Sequence, residues 1–304
     1  MRTSARQWIP IVSVVVALVV AAVVLISIND DDEPGVAVPA KGDRLGDTIT
    51  AFAAELRPDA PYRPPTAGER EDLVAALTPL FKSRSGIDQA DALRQLGFTL
   101  TVETDSVTGR QYALAMNVRD TERAWGAYLI DLSTPVRAAV EVPHPNSDLG
   151  TERIGLALFR AVPGSVMLVA GTHRRVDKGD AAHRTDSAFH AVATDLSEKD
   201  IPQIQVHGFH DDSLPDTDVV VSPGAGKAGA TVKRLADGID GTGLAVCRSW
   251  ERSCGRLEGN GNEQGKEAAK HECVFVHLET SRTVRDDEQR WNKIVSTIAG
   301  ELAK

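Results

Sequence analysis

Apolar positions change period along this chain. Between Glu69 and Phe81, Leu73, Ala76, Leu77 and Leu80 recur at helical spacing, and Asp88 to Leu96 predicts a second, short helix. The period then becomes two. Phe98 to Val102, Tyr112 to Met116, Ala124 to Ile130 and Ala138 to Val142 predict four strands, the first pair joined by a hairpin-like turn at Asp105 to Gly109. Beyond His144 the two patterns alternate. Helices are predicted at Thr151 to Phe159, Ala181 to Leu196, Thr231 to Ile239, Gly265 to Lys270 and Asp287 to Leu302. Strands are predicted at Val166 to Ala170, Ile204 to Val206, Val219 to Val221, Gly243 to Cys247 and Cys273 to Glu279. This alternation predicts an α/β fold of three layers: a mostly parallel mixed sheet with helices on both faces, extended at one edge by the earlier strands.

The N-terminus follows a different rule. Ile9 to Ile28 is twenty residues without a charge, long enough to span a bilayer as a helix. Arg2 and Arg6 precede it and Asp30 to Glu33 follow, which orients the N-terminus inside and the remainder outside. A signal peptide cleaved near Val38-Pro39-Ala40 is the rival, but its apolar region would run only about 7–15 residues. The expected organisation is a cytoplasmic stretch at 1–8, a transmembrane anchor at 9–28 and a tether at 29–66. That tether is rich in Pro, Gly and Asp, with one helix from Asp47 to Leu56. An extracytoplasmic domain follows at 67–304, so the expected location is the cell membrane, single-pass.

Composition narrows the picture. A net charge of -9 argues against a nucleic-acid partner. Cys247, Cys254 and Cys273 suit one disulfide outside the cytoplasm, with three pairings open. Their spacing does not favour a structural zinc site.

Three apolar runs end on metal-type or acid/base residues. Val140 to Pro143 leads into His144, Ile204 to Val206 into His207, and Val274 to Leu278 into Glu279. In open α/β sheets ligands bind outside the carboxyl ends of the strands. With Asp148 following His144, the set predicts a His144/Asp148/His207 metal centre and a separate base, Glu279. Pro145 forbids a simple helical pair, so His144 and Asp148 converge across a loop; a helix-capping role is the alternative for Asp148. His183, Asp186, Ser187 and His190 fall on one face of a predicted helix. That face is read as solvated or lining a pocket, with a second metal site as the alternative. Glu279 ends an apolar strand and needs a partner, either Arg282 or Arg285, or a metal beside it. Pro223 to Ala228 lacks the spacing and hydroxyl of a phosphate loop.

Taken together, His144 with Asp148-Leu149-Gly150-Thr151-Glu152, then Val206-His207-Gly208, then His277-Leu278-Glu279-Thr280-Ser281-Arg282 with Arg285, resemble the poly-γ-glutamate hydrolases, a branch of the zinc carboxypeptidase superfamily. Asn262 to Gly265 resembles that family's Asn-x-x-Gly segment. The likeness covers roughly residues 138 to 300. It departs where Asp148 replaces a glutamate, in a loop about one residue shorter, with Glu152 as the fallback ligand.

The resemblance implies Zn2+ held by His144, Asp148 and His207, with Glu279 as general base. It implies an arginine at the oxyanion, for which Arg174 is the candidate. His183, Asp186, His190 and Arg282 would bind substrate. The implied partner is a cell-envelope peptide or γ-glutamyl amide. Two other classes stay open: a catalytically silent envelope binding protein, and a zinc deacetylase or esterase.

Overall fold

The computed structural model describes residues 42–83, 87–118 and 121–303. The anchor expected at 9–28 lies outside them. Among the described residues no helix is long and apolar enough to cross a membrane.

Nine strands form one sheet: β1 (Phe98–Thr104), β2 (Gln111–Asn117), β3 (Ala127–Asp131), β4 (Ala138–Val142), β5 (Ser165–Val169), β6 (Gln203–Phe209), β7 (Val219–Ser222), β8 (Val246–Arg248) and β9 (Phe275–Ser281). Their order is β1-β2-β3-β5-β4-β6-β9-β7-β8. The central run β5-β4-β6-β9 is parallel, as is β7-β8. The β1-β2-β3 meander, its junction with β5, and the β7-β9 pair are antiparallel. The sheet is therefore evenly mixed rather than mostly parallel. Hairpin-length connections cannot make parallel neighbours, which is why the early strands add an antiparallel edge.

Helices cover both faces. α1 (Arg44–Ala54), α4 (Thr151–Ala161), α6 (Ala230–Asp240) and α9 (Glu288–Leu302) pack one core, through Ile49, Ile154, Leu235 and Ile294 against Val140, Val206 and Leu278. α2 (Ala67–Phe81), α3 (Ile87–Gln95) and α5 (Ala188–Glu198) pack a second core, through Leu77, Leu93 and Phe189 against Tyr128, Val166 and Leu168. Two short helices, α7 (Glu263–Lys270) and α8 (Arg282–Asp286), flank β9 in sequence.

The compact body begins at Gly42, not at residue 67. Within the segment read as a tether, α1 buries Leu45, Ile49 and Phe52 in the first core. Its cap, Asp43, also pairs with Arg160 of α4 at 2.8 Å. The helix expected over Asp47 to Leu56 falls on α1, three residues earlier at its start; its docking into the core is what the Pro- and Gly-rich flanks conceal. The helix predicted over Ala181 to Leu196 is interrupted. Ala181–His183 forms one 3-10 turn, and α5 starts only after Ser187, whose hydroxyl accepts from the His190 backbone N–H at 3.0 Å. Serine is a better helix cap than helix interior, so the single face joining His183 to His190 does not exist. Of the three open pairings, Cys247 and Cys254 form the disulfide and Cys273 is free and buried.

Candidate metal centre

The faces of β6 and β9 differ in kind. Ile204, Val206, Val276 and Leu278 enter the first core. The alternating Gln203, Gln205 and His207 on β6, with His277 and Glu279 on β9, form a buried polar face, and register sets His207 beside Glu279. Buried polar groups require partners, so this patch marks the site.

His144 follows β4 at the same edge. The loop after it closes by a bond from the Asp148 N–H to the His144 carbonyl at 3.0 Å. Asn146 takes the left-handed φ of 58° that asparagine tolerates. The turn returns Asp148 onto His144 as the sequence predicts. The Asp148 side chain caps no helix; the N-cap of α4 is Gly150, with no side-chain cap bond. The loop is held from both sides. Asn146 donates to the Leu56 carbonyl at 2.7 Å, and Ser147 meets His173 Nε2 at 3.1 Å.

Asp148 Oδ2 lies 3.2 Å from His144 Nδ1 and 3.1 Å from His207 Nδ1. The other ring nitrogens are occupied as well. His144 Nε2 meets Asp180 Oδ1 at 2.8 Å and His207 Nε2 meets Gln205 Oε1 at 2.8 Å. Gly208 permits this geometry, because a Cβ there would lie 2.3 Å from the Arg285 guanidinium packed beneath it. Arg285 is spent on the carbonyls of Leu149 and Phe209, at 2.8 and 3.2 Å.

Electrostatics follow the geometry. Burial opposes charge on Asp148, but hydrogen bonds from His144 and His207 outweigh it and hold the carboxyl well below its usual range. Asp180 is lowered in the same way, by His144 and His183. Burial brings His207 down to about 4, despite Asp148. His144 is buried too, yet its two carboxylate partners raise it. Burial, then the Asp148 charge, pushes Glu279 well above the usual carboxylate range. Glu279 Oε2 is buried with no hydrogen-bond partner.

The donor set fits a zinc ion. Two imidazole Nδ1 atoms and a carboxylate oxygen converge, which is the ligand type and number of a catalytic zinc site with one position open. The orphaned Glu279 Oε2 beside them is a second sign, since an unpaired buried carboxylate is costly and a nearby cation would relieve it.

The surrounding cleft has a volume of about 380 Å3 and is lined also by Arg174, His183, His210, Arg256 and Asn260. Arg174 reaches Asp148 Oδ1 at 3.7 Å and Asp180 Oδ2 at 3.5 Å, so it stands at the rim. His183 meets Asp180 at 3.0 Å. The other expected substrate residues lie elsewhere. Asp186 is tied to Arg184 at 2.6 Å, and Arg282 to Asp286 at 2.6 Å on the exposed face of α8. His190 faces Gln264 and Thr194 within α5 and α7 contacts. Asp186 and His190 leave the cleft because the helix meant to carry them breaks at Ser187. Arg282 leaves it because β9 ends at Ser281 and α8 turns it outward. Glu152 is buried on α4 and lines no part of the cleft.

Asp180, Gln205 and Gln264 contact the cluster or its neighbours without a clear signal in the sequence. Asp180 precedes a histidine by three positions, a weak signal. Gln203 and Gln205 interrupt an otherwise apolar strand in step with His207, which was the better one.

No family model matches the chain, and no curated protein matches it. Its structure is similar to several solved ones. A bacteriophage poly-gamma-glutamate hydrolase is 12% identical, covering 55% of this chain and 84% of that one, with TM-score 0.36. The zinc-free form of YndL is 11% identical over 55% and 85%, with TM-score 0.41. The tripeptide-bound cell shape determinant Csd4 of Helicobacter pylori is 11% identical over 55% and 51%, with TM-score 0.37.

Proposed function

We propose that this chain is a zinc-dependent hydrolase of amide bonds, acting on γ-glutamyl or related peptide bonds of the cell envelope. The observation that carries the reading is the meeting of His144 Nδ1, Asp148 Oδ2 and His207 Nδ1 beside Glu279, the strand neighbour of His207. The sequence resemblance supplies the substrate class. The charge-free stretch at 9–28 supports a membrane anchor, with the catalytic body outside the cytoplasm.

Bound at these three ligands, zinc would supply Lewis acidity, acidifying water and polarising the scissile carbonyl. The chain's own residues do the rest. Glu279, buried beside His207, takes a proton from the attacking water and passes it to the leaving nitrogen. Arg174 stands where it can donate to the carbonyl oxygen as negative charge develops. Asp180 fixes the ring of His144 through Nε2. His183 and Arg256 line the path by which substrate enters.

The test is elemental analysis of the purified, untagged full chain beside His144→Ala, followed by hydrolysis assays on γ-glutamyl and muropeptide amides. About one zinc per chain, absent from the variant, with amide cleavage, is expected. Absence of bound metal after zinc is supplied would refute the reading.

A further inference from the structure

Arg174 and Arg256 both line the cleft, and they differ in what their charge is spent on. Arg174 faces two acids, Asp148 at 3.7 Å and Asp180 at 3.5 Å. Among the described residues Arg256 has no hydrogen-bond or ion-pair partner for its side chain, although the chain carries a net charge of -9. The acids near it in sequence are committed elsewhere. Glu258 Oε1 accepts from the Cys254 N–H at 2.7 Å and the Ser253 hydroxyl at 3.2 Å, and its Oε2 accepts from Asn260 at 3.1 Å. Glu251 lies 3.8 Å from Arg248.

The backbone that carries Arg256 is fixed. A 3-10 turn at Gly255–Glu258 follows directly on the Cys247–Cys254 disulfide. Both cysteines join Phe209 and Val220 in a small core, and Leu257 packs against it. The Ser222 hydroxyl donates to the Glu258 carbonyl at 2.5 Å. Gly259 ends the turn at a φ of 65°, and a Cβ there would lie 2.3 Å from the His277 ring. That ring lies 4.6 Å from the His207 ring, centre to centre. The turn therefore rests on the metal centre, and a ligand reaching Arg256 has one side chain to order rather than a loop.

We propose that Arg256 is a carboxylate anchor of this cleft: its guanidinium pairs with a carboxylate that the substrate carries apart from the scissile bond. The assignment rests on the proposed hydrolase reading. Exposed pairs between flexible partners are weak. A guanidinium on a fixed turn is better placed, because its planar fork takes both oxygens of a carboxylate at once. Arg174 suits this task less, since Asp148 and Asp180 already balance it and would repel an incoming anion. Every γ-linked glutamate offers the group required, its free α-carboxylate. Arg256 is a binding residue that selects the substrate and takes no part in moving protons.

Calorimetric titration tests the anchor without turnover. The full chain, supplied with zinc and carrying Glu279→Gln to prevent cleavage, is titrated with tri-γ-glutamate and with the same compound whose α-carboxylates are all carboxamides. Tri-γ-glutamate should bind more tightly. Adding Arg256→Gln should weaken it about 10- to 100-fold, the range for a hydrogen bond to a charged group, and leave the carboxamide unchanged. Arg256→Lys, a point charge without the fork, should recover part of the loss. Lys233→Gln removes the same charge on α6, outside the cleft, and should weaken neither compound. The anchor is overturned if Arg256→Gln weakens both compounds equally or neither, if Lys233→Gln matches it, or if the unsubstituted Arg256 chain shows no preference for tri-γ-glutamate. A preference that depends on Arg256, in a chain whose wild-type form cleaves neither compound, would refute the hydrolase reading and leave the anchor standing.

Discussion

His144 and His207 turn the same ring nitrogen, Nδ1, toward one oxygen of Asp148, at 3.2 and 3.1 Å. Their Nε2 atoms face Asp180 and Gln205, and at His144 the Nε2, Asp180 and His183 form a second group with metal-ligand spacing. Asp148→Asn keeps the size of the side chain but puts an N–H among the lone pairs, or removes the charge that holds the cation. Zinc affinity should fall more than the roughly 10- to 100-fold expected for an outer partner. Calorimetric titration of the metal-free chain with zinc measures this. Affinity within threefold of wild type would remove Asp148 from the ligand set.

Glu279 separates binding from turnover. It is buried, protonation-prone and within the cleft; it lies outside the His144/Asp148/His207 group, though it meets His207 and His277 in a second cluster with metal-ligand spacing. Glu279→Gln should bind zinc as the wild type does and lose about 10²- to 10⁴-fold in kcat, the usual contribution of a general base. Loss of zinc along with activity would instead place Glu279 among the ligands. Unchanged turnover would place the base elsewhere.

The centre was legible in sequence to the extent that strand ends and loop chemistry determine it. His207 and Glu279 sit two residues before the ends of β6 and β9, and period-two alternation places both on one face. Pro145 correctly directs His144 and Asp148 to meet through a loop. What periodicity could not reveal was long-range. The break at Ser187 depends on a cap competing with helix continuation, and it removed His190 and Asp186 from the cleft. The docking of α1 depends on Asp43 meeting Arg160. Gln264 contributes through a carbonyl of Ala181, a contact that no local pattern encodes.

Arg160 ties three parts of the chain. It pairs with Asp43 before α1 and, at 2.9 Å, with Asp105 in the β1–β2 turn. Asp105 is 2% exposed, so Arg160→Ala leaves a buried carboxylate without its cation. The expected loss is about 3 kcal/mol, the low end for a broken buried pair because Asp43 is partly open to solvent. Both acids are held below their usual pKa by Arg160, with burial opposing. Their contribution is therefore present above the unfolded carboxylate pKa and lost as pH falls through the lower folded value. Urea unfolding at neutral pH should show the full difference between wild type and variant, and strongly acid conditions little of it. A difference that does not shrink in acid would show that packing of the arginine stem, not its charge, matters.

Glu141 gives the opposite pH signature. It lies fully buried in β4, one oxygen taken by Gln205 and the other without a partner. Burial raises its pKa from 4.5 to about 8, opposed by the Gln205 hydrogen bond. The folded chain thus keeps a proton that the unfolded chain releases above about pH 4.5. Stability from this group is complete below that value and is lost as pH rises toward 8, by up to about 1.4 kcal/mol per unit. Glu141→Gln is neutral at every pH and still offers Gln205 an acceptor. Its advantage over wild type should grow steadily from pH 5 to pH 8 in thermal unfolding, with chelator present in both so that zinc linkage does not contribute. Parallel curves across that range would mean that Glu141 ionises in the fold as readily as in the unfolded chain, and that a water or cation reaches its second oxygen.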